Sequence, residues 1–179
     1  YIRRNPRPAN RAELRLVINA GSVLEDDDQL GLAHVVEHMA FNGTKHFEGQ
    51  EITAFMESIG MQFGPNLNAF TTFDDTTFVL QVPTDRPEIL EKAFLILEDW
   101  AHNLTFDGRE IDKERGVIVE EWRQGRGASA RLQDKLFPIA LDGSRYAVRS
   151  PIGTKASLDT FLHDRLKQFY RDWYRTDLM

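Results

Sequence analysis

The chain has 179 residues, a length that fits one domain or part of a larger protein, and 41% of them are hydrophobic, which is enough to build a core. Its 28 acidic residues outnumber 22 scattered basic ones, and the resulting net charge of −6 argues against nucleic acid as a partner. Because there is no cysteine, disulfides and thiolate-ligated metals are excluded, so any metal must be held by His, Asp or Glu side chains.

The two ends of the sequence look interrupted. The sequence starts at Tyr1 in the middle of a sequence pattern, and Asp177-Leu178-Met179 resembles a segment that leads into a strand. We therefore expect residues 1–179 to form a single domain that is incomplete at both ends and truncated at a C-terminal strand. No apolar run approaches the length needed to cross a bilayer, so no membrane span is expected.

Short strands and amphipathic helices alternate along the chain. The hydrophobic patterns predict strands near residues 12–20, 68–73 and 76–82, and helices near residues 30–41, 50–59, 87–103, 109–136 and 158–173, with a potential break at Gly125 and Gly127. Asp74-Asp75 marks a tight turn between the last two strands, which favours an antiparallel or mixed sheet. The order predicts an α+β fold in which this sheet packs against several helices.

Asp26–Asp28 forms an acidic run just before the first predicted helix. The alternating spacing of a calcium-binding loop is missing from it. We interpret the run as negative charge that stabilises the positive end of the helix dipole.

The first predicted helix carries the sequence His-x-x-Glu-His at His34, Glu37 and His38. On a helix the two histidines share one face and can bind one metal ion, and Glu37 lies at the edge of that face. Zinc used for hydrolysis takes three protein ligands and leaves one position for a water molecule, whose pKa falls to about 7. A carboxylate at Glu37 can then remove the proton of that water. The spacing alone also fits two surface histidines.

A third ligand is expected on the long predicted helix, where Glu114, Glu120 and Glu121 are the candidates. Glu114 and Glu121 are two turns apart on one face, whereas Glu120 points elsewhere. The apolar run Val117–Val119 gives this helix a buried side, and a carboxylate that flanks it needs a partner. Most glutamates on helices are simply solvated, so residue type alone leaves the choice open.

Three segments, in order, resemble the pitrilysin/insulinase family of zinc metallopeptidases. The segments are His34-Val-Val-Glu-His38-Met-Ala-Phe-Asn-Gly-Thr44, Asn68-Ala-Phe-Thr71 and Glu114-Arg-Gly-Val-Ile-Val-Glu-Glu-Trp122. The similarity extends from Leu14 to Tyr174. The residues of these segments most resemble those of the bacterial periplasmic members of the PqqL type.

The resemblance implies one Zn²⁺ per domain, with His34 and His38 as ligands and Glu37 as the general base. It also implies that the third ligand is the second glutamate of a Glu-x6-Glu pair, which is Glu121. The first glutamate of the pair, Glu114, would contact a ligand rather than the metal. In the family, the usual number of residues between the second histidine and the third ligand favours Glu114. Glu114 lies 76 residues after His38 (114 − 38), whereas Glu121 lies 83 residues after it (121 − 38). A longer turn before residue 68 can reconcile the two, so we choose Glu121.

The resemblance further implies a metalloenzyme half-domain of the mitochondrial-processing-peptidase type. In such domains the strand that carries Asn68, Ala69 and Phe70 would bind the substrate backbone. A homologous second half of the parent chain, or a partner subunit, and a periplasmic location are also implied. The predicted function is a zinc-dependent endopeptidase that acts on peptides or unfolded proteins. Residues 1–179 without the rest of the protease are expected to cleave weakly or not at all. The alternatives are a non-catalytic subunit that serves as a scaffold or peptide-binding module, and a metal-storage or sensor domain.

Overall fold

The computed structural model describes residues 1–179 as three strands and seven α-helices. The strands are β1 (Arg11–Ile18), β2 (Leu67–Thr71) and β3 (Thr76–Pro83), and the helices are α1 (Leu32–Met39), α2 (Glu51–Ser58), α3 (Pro87–His102), α4 (Gly108–Gln124), α5 (Ala128–Ala140), α6 (Lys155–Thr160) and α7 (His163–Trp173). The predicted α+β class is confirmed. None of the helices has both the length and the apolar character that a membrane crossing requires.

The sheet is antiparallel, with β3 in the centre and β1 and β2 at its two edges. Alternate residues of β3 are buried, as the two-residue period of a half-covered strand requires: Phe78, Leu80 and Val82. Leu14 of β1 and Leu67 of β2 both stand opposite Leu80, so one apolar row crosses all three strands. β2 therefore presents an edge that no further strand covers, and this edge is free beyond Leu67, whose carbonyl oxygen accepts from the N–H group of Gly64.

The core joins the sheet to the end of α1 through Trp100 of α3. This fully buried side chain stacks on Phe78, with ring centroids 5.0 Å apart, and its Nε1 donates a hydrogen bond of 2.9 Å to the carbonyl oxygen of Ala40. A buried Trp needs such an acceptor for its N–H group. The contact fixes the C-terminal end of α1 relative to the sheet.

The beginning of α1 is held by Glu25 rather than by the acidic run that follows it. The buried Glu25 carboxylate accepts two hydrogen bonds of 2.9 Å from backbone N–H groups in the first turn. Asp26–Asp28 instead pairs with Arg149 and Arg165. Our interpretation of the run as a helix-dipole partner is therefore wrong, because a nearer carboxylate already satisfies those orphan donors.

The long helix predicted over residues 109–136 is interrupted at Gly125–Gly127, as the glycines indicated. By contrast, the single helix predicted over residues 158–173 is wrong, because α6 ends at Thr160 and α7 begins at His163. The Arg115 guanidinium donates to the carbonyl oxygens of Leu158 and Phe161, at 2.8 and 2.9 Å, and lies over the Phe161 ring. A side chain of α4 thus satisfies carbonyl groups that a continuous helix would have used internally.

Candidate active site

One cavity of about 690 Å³ lies between α1, α4 and β2. It brings together residues that are up to 118 positions apart in the sequence (152 − 34). All eight site residues predicted from the sequence line it: His34, Glu37, His38, Asn68, Ala69, Phe70, Glu114 and Glu121.

The two histidines lie one helical turn apart on α1, with ring centroids separated by 4.7 Å. Their Nε2 atoms both face Oε2 of Glu121, at 3.8 Å for His34 and 3.5 Å for His38. The ligand atoms of all three residues lie within 4.8 Å of one another. Ligand atoms held about 2.1 Å from one tetrahedral zinc ion would lie roughly 3.4 Å apart. The donor set and its spacing therefore fit a zinc ion.

The electrostatics of the two rings also suit a cation. Burial, helped by the neighbouring His38, lowers the pKa of His34 to about 4, so this imidazole is neutral and its nitrogen can donate to a metal. Burial alone would lower the pKa of His38 as well, but hydrogen bonds to Glu114 and Glu121 raise it to about 9. The carboxylates thus create a field that favours positive charge beside His38.

Glu114 and Glu121 contact opposite sides of His38. Glu114 is 8% exposed and its Oε2 lies 3.0 Å from Nδ1 of His38, whereas Glu121 approaches Nε2. The seven-residue spacing on α4 aligns both carboxylates with the same face of α1. A carboxylate on the far nitrogen of a histidine fixes the tautomer and orientation of the ring.

Glu37 is nearly buried and is held by a residue that sequence reasoning missed. It is 7% exposed, and Oγ1 of Thr71 donates a hydrogen bond of 2.6 Å to its Oε2. Burial raises the pKa of Glu37, while the Thr71 hydrogen bond opposes the increase. The alternation of β2 contains the signal for Thr71, because Leu67, Ala69 and Thr71 share a face and Leu67 is buried.

The hydrogen-bond pattern of the β2–β3 hairpin shows which backbone groups of β2 face outward. The N–H group of Gln81 donates to the carbonyl oxygen of Asn66, and the N–H group of Thr72 donates to the carbonyl oxygen of Asp75. Since bonded pairs alternate along an antiparallel ladder, residues 68 and 70 bond to β3, and the backbone of Ala69 points to the free edge. The N–H group of Ala69 donates to the side-chain oxygen of Asn68, at 3.0 Å.

An apolar wall on the cavity rim was also missed. Phe41 and Phe63 meet edge to face with centroids 5.3 Å apart, and Phe63 is 54% exposed. Pro151 and Ile152 also line the cavity. Nothing in the local sequence pattern separates these residues from ordinary core positions.

Comparison with known proteins gives this site a family context. The model of the family described as Insulinase (Peptidase family M16) matches residues 2–147. The chain belongs to the insulinase family of peptidases. The family resemblance predicted from the three sequence segments is confirmed.

Relatives within the insulinase family are named zinc proteases. The chain is 44% identical to "Zinc protease PQQL-like" of Arabidopsis thaliana, over 97% of the chain and 18% of that protein. It is 43% identical to "Probable zinc protease PqqL" of Haemophilus influenzae, over 100% of the chain and 19% of that protein. The chain therefore spans less than a fifth of the length of either relative.

A solved structure supports the same family fold. The crystal structure of the first half of the periplasmic protease PqqL from Escherichia coli superposes with a TM-score of 0.91 at 39% identity, over 96% of this chain and 37% of that one. The α+β arrangement of this chain thus matches part of the N-terminal half of an insulinase-family protease.

Proposed function

We propose that this chain carries the catalytic zinc centre of an endopeptidase. The observation that supports it most strongly is the convergence of two Nε2 atoms and one carboxylate oxygen within 4.8 Å, next to a nearly buried glutamate. The names of three relatives, each called a zinc protease, support the same proposal.

In this proposal His34, His38 and Glu121 are the zinc ligands, and Glu114 orients His38 through Nδ1. When bound, zinc supplies Lewis acidity that activates a water molecule and polarises the peptide carbonyl. Glu37 takes the proton from the water and passes it to the leaving amine. Burial suits Glu37 to this exchange, because it raises the pKa of the carboxyl toward that of its proton donor.

We assign substrate binding to the free edge of β2. An extended peptide can add a strand there by pairing with the outward backbone of Ala69, while Asn68 and Phe70 contact its side chains. The side-chain oxygen of Asn68 now accepts from the Ala69 N–H group, so it must turn away when a substrate carbonyl takes its place. The substrate class that fits is an extended peptide or an unfolded protein segment.

We also propose that residues 1–179 are one domain within a longer protease. The small share of the relatives' length supports this, as does the match to part of a first half. A homologous second half, or a partner subunit, would complete the substrate chamber, and this piece alone would cleave weakly or not at all. The location proposed is the periplasm, since the E. coli structure is described as that of a periplasmic protease.

Two measurements test the proposal together. Elemental analysis is expected to find one zinc per chain, and peptide cleavage by the full-length protein that carries this chain should be abolished by Glu37→Gln while the zinc content stays unchanged. If zinc is present but no peptide library is cleaved, the function is a scaffold or peptide-binding module. If no zinc is retained, the proposed metal centre is wrong.

A further inference from the structure

Asn42 occupies a buried position between the two elements that build the metal centre. It lies three residues beyond the end of α1, is 6% exposed, and lines the same cavity as His38 and Glu114. Its sequence context, Asn42-Gly43, indicates no more than a common helix ending. A buried amide, however, has two donors and one acceptor to satisfy, so its contacts reveal what it does.

The amide of Asn42 joins two separate groups. Its Nδ2 donates a hydrogen bond of 3.1 Å to the carbonyl oxygen of His38, and its Oδ1 accepts one of 2.8 Å from Nε2 of Gln50. The amide is therefore in contact with the backbone of one proposed ligand, and Glu114, which contacts the ring of that ligand, lines the same cavity.

Only one orientation of this amide satisfies its surroundings. A flipped amide would place Oδ1 against an acceptor, the carbonyl oxygen of His38. Because a carbonyl oxygen can only accept, it fixes the direction in which the Asn42 donors point, and Gln50 at the beginning of α2 supplies the donor to Oδ1.

The backbone around Asn42 is held independently of its side chain. The fully buried Asp99 carboxylate accepts hydrogen bonds from the Thr44 hydroxyl and from the backbone and side chain of His46. On the other side of Asn42, the carbonyl oxygen of Ala40 accepts from Trp100. Removing the Asn42 amide should therefore change the polar contacts at the site more than the path of the chain.

We infer that Asn42 is a positioning residue of the zinc centre: its amide, held by Gln50, fixes the carbonyl group of His38 and with it the backbone that carries this ligand. The inference rests on the proposed zinc site. The position of Nε2 of His38 then depends on a chain of contacts from Gln50 through Asn42 to the His38 carbonyl group. Such supporting groups affect metal affinity because they keep the ligand ring oriented.

The test is the zinc dissociation constant of the purified chain, measured by competition with a chromophoric chelator. Asn42→Ala should weaken zinc binding about 3- to 10-fold, the effect of losing one or two net hydrogen bonds. Asn42→Asp should weaken it by more than about 10-fold, since a carboxylate oxygen would then face the carbonyl oxygen of His38. The matched control is Asn103→Ala, which removes a helix-ending amide that donates to Asp99 away from the cavity. The control should keep the wild-type zinc affinity even where its metal-free melting temperature falls.

A purely structural role predicts a different outcome. If both Asn42 variants melt earlier but bind zinc as tightly as the wild type, the inference is overturned while the zinc site stands. If the wild-type chain itself binds no zinc, the proposed function fails instead. Should the Asn42 variants not fold, Gln50→Ala takes their place. It should weaken zinc binding by a smaller factor in the same direction, and an unchanged affinity would contradict the inference.

Discussion

The two walls of the cavity are built very differently. The α1–α4 wall is largely buried and cross-connected, because Glu114 contacts His38, Asn42 donates to the His38 carbonyl oxygen, and Glu37 is 7% exposed. The β2 wall is a single edge strand with an exposed Asn68 and a Phe70 that is 45% exposed. The proposed metal ligands are therefore held within a connected set of contacts, whereas the proposed substrate edge is left open. The two walls should respond separately to mutation.

The largest effect on zinc should come from Glu121. Glu121→Gln removes the carboxylate that faces both Nε2 atoms, so zinc affinity should fall by more than about 100-fold, beyond the range for residues that only support a ligand. Chelator competition gives the value. The neighbouring Glu120→Gln, which loses only an exposed pair with Arg123, is the control and should bind zinc normally.

Removing Glu114 should have a smaller effect on the same quantity. Glu114→Gln weakens the contact with Nδ1 of His38, and we expect zinc affinity to fall about 10- to 100-fold. Glu110→Gln, which changes a partly exposed side chain paired with Lys113, should leave it unchanged. A larger loss at Glu114 than at Glu121 would reverse the assignment of the two glutamates.

Thr71 tests the connection between the two walls, because it lies on β2 but contacts Glu37. Thr71→Val removes the hydroxyl with little change of shape, so cleavage by the full-length protein should slow about 10-fold, mainly in kcat. Zinc affinity should not change, and Thr71→Ser should restore the rate. Thr72→Val, whose hydroxyl is occupied in the hairpin turn, is the control. A Thr71→Val enzyme with unchanged kcat would show that the contact does not assist Glu37.

The smallest expected effect is confined to the free edge of β2. Ala69→Pro removes an outward N–H group without breaking a bond to β3, so KM should rise about 3- to 10-fold while zinc affinity and stability are kept. Phe70→Pro removes an N–H group that bonds to β3 and should instead lower the melting temperature. Equal loss of stability in both variants would refute the assignment of the free edge.

The sequence predicts the α1 side of the site well and the rest unevenly. The spacing of His34, Glu37 and His38 follows directly from the helical period, so it requires no tertiary information. The different contacts of Glu114 and Glu121 depend on how α4 crosses α1, which no local pattern encodes. Thr71 lies in a strand whose alternation points it inward, yet its partner is 34 residues away.

The break between α6 and α7 is a feature of the fold that the local sequence pattern also does not predict. It depends on Arg115 from α4, and the residues around it contain no glycine or proline to mark the end of a helix. Local sequence signals therefore do not reveal a helix end that is capped by a side chain from a distant part of the chain.

The most direct test of the account is a crystal structure of the zinc-loaded protein, with the metal located by anomalous scattering at the zinc edge. The account predicts one peak within about 2.2 Å of Nε2 of His34, Nε2 of His38 and a carboxylate oxygen of Glu121, with Glu114 on Nδ1 of His38. A peak coordinated by Glu114 instead of Glu121, or a peak outside this cavity, would contradict it.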